Sequence, residues 1–167
     1  HDSDIIDGIA WAAGLAVPGV PANPYPAQVI NLSFGGDDDC PPAYHSVFGS
    51  ALAHGVTRAI IVAAGNVGVD VANTSPANCS ETIAVAATTR VGTLAGYSNF
   101  GSGVAVSAPG GSGPDLDANG VAVLSNLGTN APDADAWAKA AGTSFAAPMV
   151  AGVASLVLAL APNLTAP

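Results

Sequence analysis

The stretch from Val56 to Ala63 narrows the possible folds more than any other part of the sequence. Its second half, Ala59-Ile60-Ile61-Val62-Ala63, has no polar residue on either face. Successive side chains of a strand point to opposite sides, so a strand of this kind has no face to give to water. It must be covered twice, as a central strand of a parallel sheet is covered by helices. Thr82 to Thr88 and Val104 to Ser107 read as two more strands, and so do Gln28 to Phe34 and Val121 to Ser125. Apolar residues at helical spacing follow the acidic Asp2-Ser3-Asp4. They recur from Tyr44 to His54, ahead of Gly55, and again from Ser144 to Leu160. Strands alternating with helices define an α/β class: a parallel sheet flanked by helices, with right-handed crossovers. No repeat and no linker divides the 167 residues, a length that suits one domain.

The formal net charge is −9, and Arg58, Arg90 and Lys139 are the only cationic side chains. Neutralising phosphates takes clustered Lys and Arg, so no nucleic-acid partner is expected. An anionic membrane surface is disfavoured for the same reason. Phe145 to Ala161 is apolar and long, but it holds Pro148 and Gly152, is rich in Ala and lacks flanking cations, so a buried helix is expected rather than a membrane span. His1 is followed by acidic residues, not by the basic start of a secretory leader, so the chain is expected to begin downstream of the gene's start. Cys40 and Cys79 read as one disulfide in a secreted protein or two free thiols in a cytosolic one. With 9% charged residues and many Ser, Thr, Asn and Gly, the composition favours the secreted case. A bridge closing a loop of about 40 residues stabilises by about 4 kcal/mol in the chain-entropy model.

The chemistry concentrates in Gly142-Thr143-Ser144-Phe145-Ala146-Ala147-Pro148-Met149-Val150-Ala151-Gly152, a small-residue turn feeding an apolar helix. Thr143 can cap that helix. Ser144 then lies at a helix N-terminus, where unpaired N–H groups and the dipole favour negative charge, a setting suited to a nucleophile. On these grounds alone Ser144 is equally readable as a second cap. The run resembles the nucleophile motif of the subtilase family, Gly-Thr-Ser-x-Ala-x-Pro, in which the Ser attacks. Val62-Ala63-Ala64-Gly65-Asn66 resembles the same family's strand end, whose Asn donates to the oxyanion. By that resemblance Asn66 is the oxyanion donor, and Ala63, Ala64 and Gly65 wall the primary specificity pocket, with Thr74 at its far end. Ile30 to Gly36 resembles the family's substrate strand, so the main chain of Ser33, Phe34 and Gly35 is expected to pair with an extended peptide. Tyr97-Ser98-Asn99-Phe100-Gly101 and Ser107-Ala108-Pro109-Gly110 match further stretches in order, with a long insertion between Gly110 and Ala141.

The resemblance implies that residues 1–167 are the C-terminal part of a subtilisin-like peptidase domain. Subtilases order their triad Asp, His, Ser along the chain, and neither the Asp nor the His motif is present. His1, His45 and His54 lack the required context, and Asp4 and Asp7 fall on the first helix. The sheet is thus expected to be incomplete, with an exposed edge, without an N-terminal portion bearing both, either cut away or carried by a companion chain. The family layout also implies a Cys40–Cys79 bond at the pocket rim. The expected activity is that of a secreted serine endopeptidase acting on protein or peptide substrates, and no cofactor enters its chemistry. A structural Ca²⁺ at Asp37, Asp38 and Asp39, or at Asp115 and Asp117, competes with the plainer reading of solvated loop charge. A small-residue pocket suits apolar or aromatic side chains, unless Asp70 enters it. The rival function is a subtilase-like peptide-binding module without activity. A nucleotide-binding domain fails, because Gly110, Gly111 and Gly113 do not form a GxGxxG pattern.

Overall fold

A computed structural model describes residues 1–112 and 116–164. In chain order the elements are α1 (Asp2–Ala12), β1 (Val29–Leu32), β2 (Gly36–Asp37), α2 (Pro42–Ala53), β3 (Ala59–Ala63), β4 (Thr74–Ser75), β5 (Ile83–Thr88), β6 (Val104–Pro109), α3 (Leu116–Asn119), β7 (Val121–Asn126), β8 (Asp135–Ala140) and α4 (Thr143–Leu160). Four strands form one sheet in the order β1-β3-β5-β6, and every pair in it is parallel, with Ile30 opposite Ile60, Ile61 opposite Ile83 and Ala84 opposite Val104.

The two-sided burial read from β3 is realised residue by residue. Ile60 and Val62 join Ile9, Ala13, Val47 and Phe48 in a core under α1 and α2. Ala59, Ile61 and Ala63 face the other way and pack with Val85, Ala87, Ala146 and Ala147 under α4. The alternation is the two-residue period of a strand, and small side chains let α4 lie close to the sheet. Open α/β sheets place their ligands at the carboxyl ends of the strands.

Three features depart from the expectations. The strand at Val121–Asn126 does not extend the parallel sheet. It pairs antiparallel with β8 as a separate hairpin, from Val121 opposite Ala140 to Asn126 opposite Asp135. The long apolar helix is buried on one side only: Ala146, Ala147 and Leu158 are covered, whereas Leu156 is 70% and Leu160 90% exposed. An all-round apolar helix finds cover only where the sheet reaches it. The acidic loop after Gly35 is partly ordered as a ribbon, with Gly36 opposite Ser75 and Asp37 opposite Thr74.

Cys40 and Cys79 form a disulfide with a Cα separation of 5.2 Å across 39 residues. It joins the residues just before α2 to the segment between β4 and β5, and His45 Nδ1 is hydrogen-bonded to Glu81 at 2.8 Å. Within the four-stranded sheet, β1 and β6 are the edge strands.

Candidate active site

Three chain segments meet at the carboxyl ends of the central strands. Just beyond β1, Ser33 accepts a hydrogen bond on its main-chain oxygen from Ser144 Oγ at 3.0 Å, and Ser33 Oγ donates to the Ser144 carbonyl oxygen at 2.9 Å. Asn31 Nδ2 donates to the Ser33 hydroxyl at 2.9 Å. The end of the substrate-type strand is thereby fastened to the first turn of α4. Ser144 is the second residue of that helix, so its N–H is among those with no intrahelical acceptor.

Beyond β3, Asn66 Oδ1 accepts from both the Thr143 N–H and the Thr143 hydroxyl, each at 2.8 Å. The same hydroxyl accepts from the Gly65 N–H at 3.1 Å. A hydroxyl has one proton to give and can still accept, so Thr143 satisfies both neighbours. Thr143 is therefore not the local cap expected from sequence. The helix takes Gly142 as its N-cap residue, and the carboxamide oxygen of Asn66, 77 positions away in sequence, receives the first helical N–H. With its oxygen occupied, Asn66 keeps Nδ2 as a free-facing donor on an exposed side chain. A Cβ at Gly142 would lie 3.5 Å from that nitrogen, which places the amide beside the turn that leads into Ser144.

Ala63 and Ala64 are buried at the end of β3. Gly65 adopts a φ of +108°, and a Cβ there would overlap Asn99 Nδ2 and sit 3.2 Å from Thr74 Cγ2. Only glycine fits both the backbone conformation and that contact. Thr74 is buried beneath it, accepting from Asn99 Nδ2 at 2.8 Å. Gly35 is small for a reason the sequence did not disclose: a Cβ there would come within 2.9 Å of the Ser75 carbonyl oxygen. A cavity of about 340 Å³, lined by Ile5, Phe34, Gly35, Tyr44, Ser75 and Pro76 among others, adjoins this strand. Burial, with the charge of Asp2, raises the Tyr44 phenol above its ordinary range.

Ser33, Asn66 and Ser144 are thus brought together, and Ala63, Ala64, Gly65 and Thr74 gather beside them. Asp70 is engaged elsewhere: its carboxylate accepts from the Ala72 N–H at 2.9 Å and packs over Gly101. His45 holds Glu81, and its bonds do not reach Ser144. Two polar hubs escaped the sequence reading. Asn99 is fully buried and carries five hydrogen bonds. The Tyr97 hydroxyl faces the Gly110 and Gly111 carbonyl oxygens at 2.7 and 2.8 Å, and burial raises its pKa. A serine hydroxyl, a helix N-terminus and a fixed carboxamide donor on one rim can attack a carbonyl and hold the resulting oxyanion.

Residues 1–167 match the model of the subtilase family, Peptidase S8, and the chain belongs to that family of serine proteases. An "Extracellular protease" of Xanthomonas campestris pv. campestris is 46% identical over 167 residues, covering 99% of this chain and 27% of that protein. An "Extracellular basic protease" of Dichelobacter nodosus is 37% identical over 164 residues, covering 98% of this chain and 26% of that protein. A solved protease from Pseudoalteromonas arctica superposes with a TM-score of 0.94 at 43% identity, over 99% of this chain and 48% of that one. A cold-adapted subtilisin-like serine proteinase gives a TM-score of 0.68 at 30% identity, over 95% of this chain and 48% of that one. The chain thus spans about a quarter of the length of these curated relatives.

Proposed function

We propose that this chain supplies the nucleophile, the oxyanion donor and the substrate-binding strand of a secreted serine endopeptidase, and that an N-terminal segment of the same domain supplies the Asp and His. The observation that carries the proposal is the position of Ser144: first turn of α4, hydroxyl 3.0 Å from the Ser33 carbonyl, beside an Asn66 whose oxygen is already held by Thr143. With a histidine in place, the Ser144 proton passes to its imidazole and Oγ bonds to the peptide carbonyl carbon. The oxyanion accepts from Asn66 Nδ2 and the Ser144 N–H. The C–N bond then breaks as the imidazolium returns the proton to the leaving amine, and water repeats the sequence to free the acid. Ser33, Phe34 and Gly35 hold the substrate main chain, and Ala63, Ala64, Gly65 and Thr74 bound the pocket for the residue before the scissile bond.

The N-terminal segment is supported by the free edges of β1 and β6 and by the uncovered side of α4. Secretion is supported by the disulfide and by relatives named as extracellular. Protein or peptide substrates fit the cleft, whereas the acidic charge suits neither nucleic acid nor an anionic membrane. No cofactor takes part in this chemistry. For a structural Ca²⁺ the described residues are a poor fit. No group of three His, Cys, Asp or Glu converges among them, and the Asp38 carboxylate accepts from the Asp39 N–H within its own loop. The Asp115 and Asp117 carboxylates lie outside what is described.

The test is labelling by a fluorophosphonate, which needs both a nucleophilic serine and its base. The complete protease should label at Ser144, and Ser144→Ala should not. Binding of peptides without labelling of the wild type would establish the inactive binding module instead.

A further inference from the structure

We infer that Asn99 is a positioning residue for catalysis: it fixes the loop that carries the oxyanion donor and ties it to the floor of the primary pocket. The inference rests on the function proposed above, and it gives a role to the Ser98-Asn99 pair, which that function leaves without one.

Asn99 has no exposed surface, so each of its polar atoms must find a partner inside the protein. Its main-chain N–H donates to the Gly65 carbonyl oxygen at 3.0 Å. Its side-chain oxygen accepts from the Val67 and Val69 N–H groups at 3.1 and 3.2 Å. Its Nδ2 donates to Thr74 Oγ1 at 2.8 Å. Asn66 is therefore gripped on both sides by one distant residue, at position 65 through the main chain and at 67 and 69 through the carboxamide. The loop from Gly65 to Asp70 is otherwise exposed at Asn66, Val67, Gly68, Val69 and Asp70 and has no apolar anchor of its own before Val71. The opposite end of the same amide holds Thr74, which lies under Gly65. The amide's own support is also buried: Ser98 Oγ accepts from the Ala87 N–H at 2.9 Å and donates to the Asn99 carbonyl oxygen at 3.0 Å. One planar group thus sets the distance between the oxyanion donor and the pocket floor, through both ends of a single carboxamide.

A donor displaced by about 1 Å can cost about 10²-fold in rate. Asn99→Ala strips the acceptor from Val67 and Val69, so Asn66 keeps its bonds to Thr143 but loses the support of the loop that follows it. The test is a double-mutant cycle in the complete protease, reading kcat and KM on a short peptide substrate for Asn99→Ala, Asn66→Ala and the pair. Asn66→Ala should lower kcat by about 10²–10³-fold. Asn99→Ala should lower kcat by about 10–100-fold while the protein still unfolds cooperatively. In the Asn66→Ala background it should cost less than about threefold, because the donor it places is gone. Asn99→Asp keeps an acceptor for both N–H groups and should recover much of the lost kcat. Thr74→Val removes only the acceptor of Nδ2 and should raise KM with kcat nearly unchanged. If Asn99→Ala does not fold, Asn99→Ser takes its place in the cycle. Asn99→Ala, or Asn99→Ser in its place, overturns the inference if it leaves kcat intact or costs its full factor again without Asn66. Unchanged kcat in Asn66→Ala alone overturns the oxyanion assignment beneath it, a separate and recognisable result.

Discussion

The Ser144 hydroxyl donates to the main-chain oxygen of Ser33 at 3.0 Å, and the Ser33 hydroxyl donates back to the Ser144 carbonyl at 2.9 Å. This reciprocal pair holds the proposed nucleophile against the proposed substrate strand. A carbonyl oxygen is too weak a base to take the Ser144 proton, so the hydroxyl becomes a nucleophile only when the proposed histidine is in place. We therefore expect Ser144→Ala in the complete protease to abolish acyl-enzyme formation and lower turnover by several orders of magnitude, about 10⁶-fold in kcat at the extreme. Burst kinetics with an activated ester read this directly, and normal peptidase activity in the variant defeats the assignment.

The N-terminal segment makes a second prediction. This chain alone should show no more than the small rate that an oxyanion hole and binding leave over water. Adding the upstream part of the domain should restore activity and cover the edge of β1. Casein hydrolysis with and without that part is the measurement. Full activity from residues 1–167 alone would send the search for a base to His1, His45 and His54.

The Cys40–Cys79 bond makes a third. Because it closes a 39-residue separation, replacing both cysteines by Ala should cost about 4 kcal/mol in the chain-entropy model. Denaturant melts of the complete protease should show the fall in midpoint without a change in the labelled residue. An unchanged midpoint means that the bridge constrains nothing.

Substrate preference follows from Gly65, Thr74 and Asp70. The walls of the proposed pocket are small, and the Asp70 carboxylate is occupied at the Ala72 N–H. Large apolar or aromatic residues should precede the scissile bond in a peptide-library profile. A strict preference for Lys or Arg would show that Asp70 turns inward.

Tyr97 predicts a pH effect. Its phenol is raised in the folded state by burial, whereas in the unfolded chain it titrates near pH 10. Above about pH 10 the unfolded state loses this proton while the folded state keeps it, so stability falls as pH rises. Tyr97→Phe should lower stability at neutral pH by about 1 kcal/mol through the lost hydrogen bond and should flatten that alkaline slope. Melting temperatures of both proteins from pH 8 to about 11 decide it, and parallel slopes count against the assignment.

Much of the scaffold was legible because burial leaves a compositional trace. β3, β5 and β6 announce themselves as apolar runs, and Ser144 and Asn66 stand in motifs that the fold brings onto one rim. What was illegible depends on distance in space. No local pattern says that Asn66 will take the N–H of Thr143, so the helix start was read as self-capped. Asn99 looks like any turn asparagine until its partners at 65, 67, 69 and 74 are seen around it. β8 did carry a signal. Asp135-Ala136-Trp137-Ala138-Lys139-Ala140 alternates with period two, and in the structure the Ala side of that alternation is the less exposed. The two-residue strands β2 and β4 are too short for any periodicity to register.

The contacts that assemble the rim join positions 111 apart at Ser33 and Ser144, and 77 apart at Asn66 and Thr143. A half-collapsed chain therefore carries Ser33, Asn66, Thr143 and Ser144 without their shared geometry. Contacts this remote in sequence form late, after the intervening chain has been ordered. If the chain acts as proposed, the rim on which attack and oxyanion binding depend is assembled only with the finished sheet.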